Sequence, residues 1–336
     1  MSSLIIPKDY SPILYPMETQ RAIKKIKDYF QEELAYGLKL RRISAPLFVL
    51  PESGLNDNLN GVERRVSFTI KDMNEQNAEI VQSLAKWKRY ALGKYKIEPG
   101  RGIYTDMNAI RRDEELDNLH SIYVDQWDWE KAITRQQRTT AYLHQTVTTV
   151  YNAVKNLGDF VNRHYSDVRN DIPNEIVFIT SQELEDRWPD KTPKQREDLI
   201  CREYGAVFVE KIGGPLASGK PHDGRSPDYD DWNLNGDILL WNDVLNMAFE
   251  ISSMGIRVDA EAMDRQLRAA GAEDRRNLPF HQAVLHDELP LSVGGGIGQS
   301  RLCMFFLKKA HIGEVQASIW PQDMIDACRT GGIELL

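Results

Sequence analysis

The chain has 336 residues, 41% hydrophobic and 27% charged, which is enough to bury a sizeable core and excludes wholesale disorder. Its formal net charge of −8, from 42 Lys and Arg against 50 Asp and Glu, gives no overall pull on nucleic acid or an anionic membrane. No apolar run approaches the roughly 18 residues of a membrane span, the first ten residues lack a signal-peptide pattern, and Cys201, Cys303 and Cys328 are too scattered for a zinc site or disulfide framework, so a cytoplasmic protein is expected.

Ile23, Ile26, Phe30 and Leu34 recur at helical spacing, predicting a helix over 17–34 with Gly37 as its stop. A strand follows at 41–50, then a Gly/Asn/Asp-rich loop over 54–61 and a strand at 66–70. Val81, Leu84, Ala85, Ala91 and Leu92 suit a helix that carries Lys86, Lys88 and Arg89. Strands at 102–105 and 120–128 flank a charged loop, 111–118, and Val147 to Val161 marks a long amphipathic helix. Short strands at 175–180 and 206–210 enclose helices. Strands at 235–241 and 247–257, helices at 259–270 and 279–286, a Gly-rich turn at 294–298 and a helix at 299–309 complete the chain. Strands outnumber a simple βαβ series and two neighbouring pairs read as hairpins. The pattern predicts an α+β fold, a mainly antiparallel β-sheet flanked by helices. No repeat or linker divides it, so one large domain with insertions is expected.

Two glycine motifs fail on inspection. Gly214, Gly219 and Lys220 have P-loop spacing, but Pro221 stands where a hydroxyl is needed, so a surface loop is expected. The run 294–298 does not complete a dinucleotide fingerprint, because Gln299 replaces its last glycine. The seven histidines form no ligand pair.

Four polar clusters beside strands remain. Arg111 ends a strand before an acidic loop, where a guanidinium fork suits a phosphate, although taken alone the signal is weak and a solvated charged loop is the stronger reading. In the run 123–129, alternation puts Gln126 and Asp128 on one face and Asp125, Trp127 and Trp129 on the other; the alternative is a wet edge strand. Asp237 and Glu250 lie on consecutive strands and, with Ser253, offer hard oxygen ligands for Mg²⁺ on nucleotide phosphates; salt-bridged carboxylates are the alternative. The glycines of 294–298 permit close backbone approach, and Arg301 follows in the first helical turn, placed for a base or a phosphate.

Together these clusters resemble the class II aminoacyl-tRNA synthetase catalytic domain, in its aspartyl/asparaginyl branch. The blocks 57–61, 83–89, 123–130, 227–232, 234–239, 250–259 and 294–302 resemble, in order, the ammonia-dependent asparagine synthetases, or aspartate–ammonia ligases. Gln82 departs from the His of bacterial members, and the first ~15 residues exceed the bacterial pattern. The resemblance implies one catalytic domain over 1–336 with a helical insertion around 130–205. It implies ATP-dependent conversion of L-aspartate and ammonia to L-asparagine through β-aspartyl-AMP, with AMP and pyrophosphate released and Mg²⁺ required. Arg111 would clamp the α-phosphate and the activated carboxylate, Lys88 would hold the β-carboxyl region, and Asp57 would attract ammonium and take its proton. Ser83, Gln126, Asp128, Asp230 and Arg257 would bind the amino acid; Asp237, Glu250 and Ser253 would hold Mg²⁺ and phosphates, and Arg301 would cover the adenine or γ-phosphate. Ser2 follows Met1, with no thiol for glutamine hydrolysis, so free ammonia is the expected nitrogen source. A homodimer is implied, with no nucleic acid and no membrane partner. The alternatives are an aspartyl/asparaginyl-tRNA synthetase-like paralogue, which would need a tRNA-binding module, and a silent adenylate-binding protein, which would have lost Arg111, Glu250 and Arg301.

Overall fold

A computed structural model of the chain describes residues 4–57, 59 and 63–336. Ser2, and Asn58, Asn60 and Gly61 of the Asn/Gly-rich loop, lie outside the described residues. The elements run α1 (Pro16–Leu38), β1 (Leu40–Arg42), β2 (Phe48–Val49), β3 (Ser67–Ile70), β4 (Gln76–Ile80), α2 (Ala85–Lys94), β5 (Gly102–Ile110), β6 (Tyr123–Ala132) and α3 (Thr140–His164). They continue as β7 (Val177–Thr180), α4 (Ser181–Arg187), α5 (Pro193–Tyr204), β8 (Ala206–Glu210), β9 (Asp230–Asn242), β10 (Met247–Arg257), α6 (Ala260–Ala269), α7 (Pro279–Leu285), β11 (Ser292–Gly298), α8 (Gln299–Phe306) and α9 (Gln322–Thr330). Eight strands form one sheet in the order β1-β5-β6-β11-β10-β9-β8-β7, parallel only in the two edge pairs, and β2-β4-β3 form a small antiparallel sheet. This is the expected α+β class with a mainly antiparallel sheet.

Period-two alternation decides which face of the large sheet each side chain serves. Trp127 and Trp129 of β6 and Ile238 and Leu240 of β9 join the main core, under α1, α3 and α8. Phe30 of α1 packs on Trp127 with ring centroids 4.9 Å apart. Ala22, Ile26, Phe30, Leu34 and Leu38 are all at most 2% exposed, one stripe at i, i+4 spacing. At about 1.5–3 kcal/mol for each large apolar side chain, that stripe is what holds α1 down. On the opposite face α4 and α5 cover β8 and β9 through Leu184, Ile200, Val207 and Leu239. Beside it the α2 segment covers Ile103, Met107 and Ala109 of β5, and the centre of that face, over β6, β11 and β10, is left to polar residues.

Several expectations need correction. Gly37 does not stop α1, which runs on to an αL cap at Lys39; a Cβ on Gly37 would lie 3.1 Å from Thr149 of α3, so this glycine lets two helices approach. The strand expected at 41–50 is two short strands in different sheets, separated at Pro46. α2 begins at Ala85 and leaves Ser83 on the loop before it. β4 and α9 carried too little periodic apolar signal to be anticipated. The run 294–298 is no turn: it is most of β11, paired on both sides. The P-loop-like segment is a turn closed by the Leu216 N–H to the Lys220 carbonyl (2.9 Å), with no helix after it to receive a phosphate. No helix among the described residues is long and apolar enough to cross a membrane.

Candidate active site

A cavity of about 720 Å³ opens over the polar face of β6, β11 and β10. Asp57, Ser83, Lys88, Arg111, Gln126, Asp128, Asp230, Glu250, Ser253, Arg257 and Arg301 all line it. Asp237 does not: it is buried behind the wall, ion-paired to Arg225.

The inner end alternates buried charges. Residues 126, 128 and 130 of β6 project from one face, as alternation requires, so Glu130 joins Gln126 and Asp128. Lys88 descends from α2, 1% exposed, and donates to Asp128 and to the Gly295 carbonyl (3.1 Å), with Glu130 4.0 Å away. Burial outweighs those carboxylates and pulls the Lys88 ammonium below its ordinary pKa. Arg257 of β10 forks onto Glu130 (Nε 3.0 Å, Nη2 2.8 Å) and reaches Asp230 with Nη1. Burial works against the Glu130 charge, but Arg257 and Lys88 overcome it and hold the carboxyl below the usual range. Burial pushes Asp230 up despite Arg257. The Tyr229 ring lies 5.7 Å from the Arg257 guanidinium, its phenol raised by burial and by nearby Asp57 and Asp230. Asp57, 1% exposed, takes the Leu59 N–H on Oδ1 (2.9 Å), and its Oδ2 has no hydrogen-bond partner among the described residues.

These ion pairs explain the glycines of β11. None of Gly294, Gly295, Gly296 or Gly298 has positive φ, so no turn requires them. A Cβ on Gly294 would sit 2.0 Å from Glu130 Oε2 and 2.5 Å from Arg257 Nη2, and one on Gly296 would meet Gln126 Oε1 at 2.4 Å. The strand is bare so that charged side chains can lie flat across it. Gly294→Ala must therefore displace the buried Glu130–Arg257 pair, with an expected loss of about 3–5 kcal/mol of unfolding free energy in urea titration.

The outer end carries less-engaged cations. Arg111 leaves the end of β5; among the described residues its nearest carboxylate, Glu114, is 3.9 Å away, and its buried Nε has no partner. Arg301, in the first turn of α8, lies 3.6 Å from Glu250. A register shift between Glu250 and Ser252 turns Ser253 to the same face as Glu250, so both reach the cavity. Asp237 is opposite Ser253 rather than Glu250. Burial raises the Asp237 carboxyl to about 7; Arg225 opposes the rise and Glu250 adds to it. No group of three or more His, Cys, Asp or Glu suited to a metal occurs among the described residues.

The geometry is thus a buried, charge-alternating inner end joined to a mouth that carries Arg111 and Arg301 among several carboxylates. A family model described as aspartate–ammonia ligase matches residues 17–332. An "Aspartate--ammonia ligase" of Clostridium perfringens (strain ATCC 13124) is 59% identical over 336 residues, covering 100% of both chains, and one of Levilactobacillus brevis is 58% identical over 99% of each. The chain belongs to the aspartate–ammonia ligase family. Among solved structures, asparaginyl-tRNA synthetase from Pyrococcus horikoshii, complexed with asparaginyl-adenylate, superposes with a TM-score of 0.58 at 15% identity, covering 96% of this chain and 77% of that one. This likeness gives the ligase-family chain the class II synthetase fold.

In this ligase-family cavity, sequence reasoning overlooked Glu130, Tyr229, Arg225 and His120, which also border or buttress it. Glu130 was within reach, being the next same-face position after Asp128. Arg225 and Tyr229 sit in an aperiodic stretch before β9, and His120 on the loop before β6, where no alternation marks a side chain's direction.

Proposed function

We propose that this protein makes L-asparagine from L-aspartate, ammonia and ATP, through β-aspartyl-AMP, as one catalytic unit spanning the chain. The observation that carries the reading is the single cavity joining the buried Lys88–Asp128–Arg257 pocket to the Arg111–Arg301 mouth. In the first step a β-carboxylate oxygen attacks the α-phosphorus and pyrophosphate leaves. In the second, ammonia attacks the acyl carbon, AMP leaves, and the nitrogen gives up a proton. The protein's share is placement and charge.

Lys88 holds the β-carboxylate, and Arg111 neutralises the α-phosphate as negative charge grows on it. Ser83, Gln126, Asp128 and Asp230 take the polar groups of the amino acid. Arg257, saturated by Glu130 and Asp230, sets the shape of that pocket. Arg301 faces the adenine or the γ-phosphate. Asp57, whose buried Oδ2 has no partner among the described residues, attracts ammonium and receives its proton. Glu250 and Ser253, which line the cavity, are the hard oxygens that would hold Mg²⁺ there, whereas Asp237, ion-paired to Arg225 behind the wall, offers no open ligand. The ion would neutralise phosphate charge there. Tyr15 and Met17 at the start of α1 and Tyr36 near its end, 69%, 70% and 88% exposed, support a homodimer through this helix. A cytoplasmic location and independence from nucleic acid complete the reading.

Incubating the protein with L-aspartate, ATP, Mg²⁺ and ammonium should give asparagine and AMP in equal amounts without tRNA. Pyrophosphate exchange that yields only aminoacylated tRNA would overturn the reading in favour of a synthetase.

A further inference from the structure

The loop 111–122, between β5 and β6, brings Arg111, Glu114, Asp117 and His120 to the mouth of the cavity. It is long for a hairpin connection, and ordering such a loop costs conformational entropy unless something fixes it in advance. Part of the order is internal: Asp117 Oδ1 accepts the N–H groups of Leu119 (2.7 Å) and His120 (2.8 Å). Distant parts of the chain add more: Arg64 pairs with Asp113 (Nε 3.0 Å), the Ser121 and Ser318 hydroxyls meet at 2.9 Å, and one residue that points away from the cavity binds two further segments.

That residue is Asn118, 2% exposed. Its Oδ1 accepts the Ile5 N–H (2.7 Å), and its Nδ2 donates to the Ile5 carbonyl (2.8 Å) and to the Ala310 carbonyl (2.7 Å). Its own carbonyl accepts the Ile312 N–H (2.8 Å). Both amide hydrogens are thereby used, and the side chain mimics a strand partner for Ile5. The segment 4–15 is itself pinned. Tyr10 Oη donates to the Glu314 carboxylate (2.9 Å), Lys309 Nζ donates to the Leu14 carbonyl (2.7 Å), and Ile6 packs so tightly on Gly331 that a Cβ there would lie 2.4 Å from it. The chain from Leu4 to Tyr15 thus forms a strap, and Asn118 is the point where strap and loop 309–314 seize the cavity loop.

We infer that Asn118 is a positioning residue: through it the strap 4–15 pre-orders the loop 111–122 for the triphosphate end of ATP, leaving the amino-acid pocket untouched. This rests on the nucleotide reading of the cavity mouth. The contacts with aspartate proposed above lie on α2, β6, β10 and the 225–230 segment, so the two substrates should respond differently.

The test uses the full-length protein with Asn118→Ala, with Ile5→Pro, which deletes the N–H donor, and with both. Each single variant, losing three side-chain hydrogen bonds in Asn118→Ala and one in Ile5→Pro, should raise KM for ATP by about tenfold or more and leave KM for aspartate within about twofold. The double variant should be no worse than the stronger single one, because both changes cut the same link. Hydrogen exchange should quicken in 111–122 in every variant, with ATP absent. Unchanged exchange in that loop, or equal rises in both KM values alongside a lower melting temperature, would overturn the inference. Should Asn118→Ala fail to fold, Ile5→Pro carries the comparison. Should the wild-type protein make no asparagine, the functional reading fails, and loop exchange with the strap cut still decides the inference.

Discussion

Asp57→Asn is expected to cut asparagine formation by about 10²–10⁴, the usual contribution of a positioned general base, while ATP–pyrophosphate exchange with aspartate stays within a few-fold of wild type. The reasoning starts from its hydrogen bonds. Asp57 Oδ1 is committed to the Leu59 N–H, and its own N–H is held by Asn56 Oδ1, which also takes the Gln82 N–H. Asn56 anchors in turn to Glu79 and to the Ile80 carbonyl. The backbone at Asp57 is therefore fixed without using Oδ2, which faces the interior with no partner among the described residues. A buried carboxylate oxygen left unpaired is costly unless a cation or a donor arrives there, and ammonium is both. Asn keeps the size and the acceptor for Leu59 but cannot take a proton. A parallel loss of exchange would show that Asp57 serves the adenylation step instead.

What the sequence could and could not disclose follows from the same distinction between periodic and aperiodic chain. Gln126 and Asp128 were legible as one face of β6 because alternation is forced by the strand. Glu250 and Ser253 were legible only as neighbours: the bulge that turns both to the cavity has no signature in residue types. The glycines 294–298 signalled close approach, but a sequence cannot distinguish glycine needed for backbone angle from glycine needed for space, and here space decides. Arg225 and Tyr229 carried no pattern at all. Asn118 is the extreme case, since its partners Ile5 and Ala310 are 113 and 192 residues away. The pairing of Asp237 with Arg225 instead of an open cation site was hidden for the same reason.

The cations of the cavity differ in how far they are already engaged, and that difference yields the second large effect. Lys88 and Arg257 are held by Asp128, Glu130 and Asp230; removing either would leave buried carboxylates uncompensated, so folding and activity would fall together. Arg111 is the opposite. Among the described residues its nearest carboxylate is 3.9 Å away and its Nε has no acceptor, and its place in the fold is fixed by the main chain, where its N–H meets the Ile122 carbonyl at 2.9 Å. Its guanidinium stands at the end of a strand, lining the cavity. Arg111→Ala should therefore lower ATP–pyrophosphate exchange by about 10²–10³, as expected for losing a preorganised charge on the reacting phosphate, while the melting temperature stays within about 2 °C of wild type. Arg111→Lys should recover only a minor part of the rate, because an ammonium cannot span two oxygens in the planar fork. A variant with normal exchange would remove Arg111 from adenylation. A variant that melts well below wild type would mean that its role is to hold the cavity loop against β5.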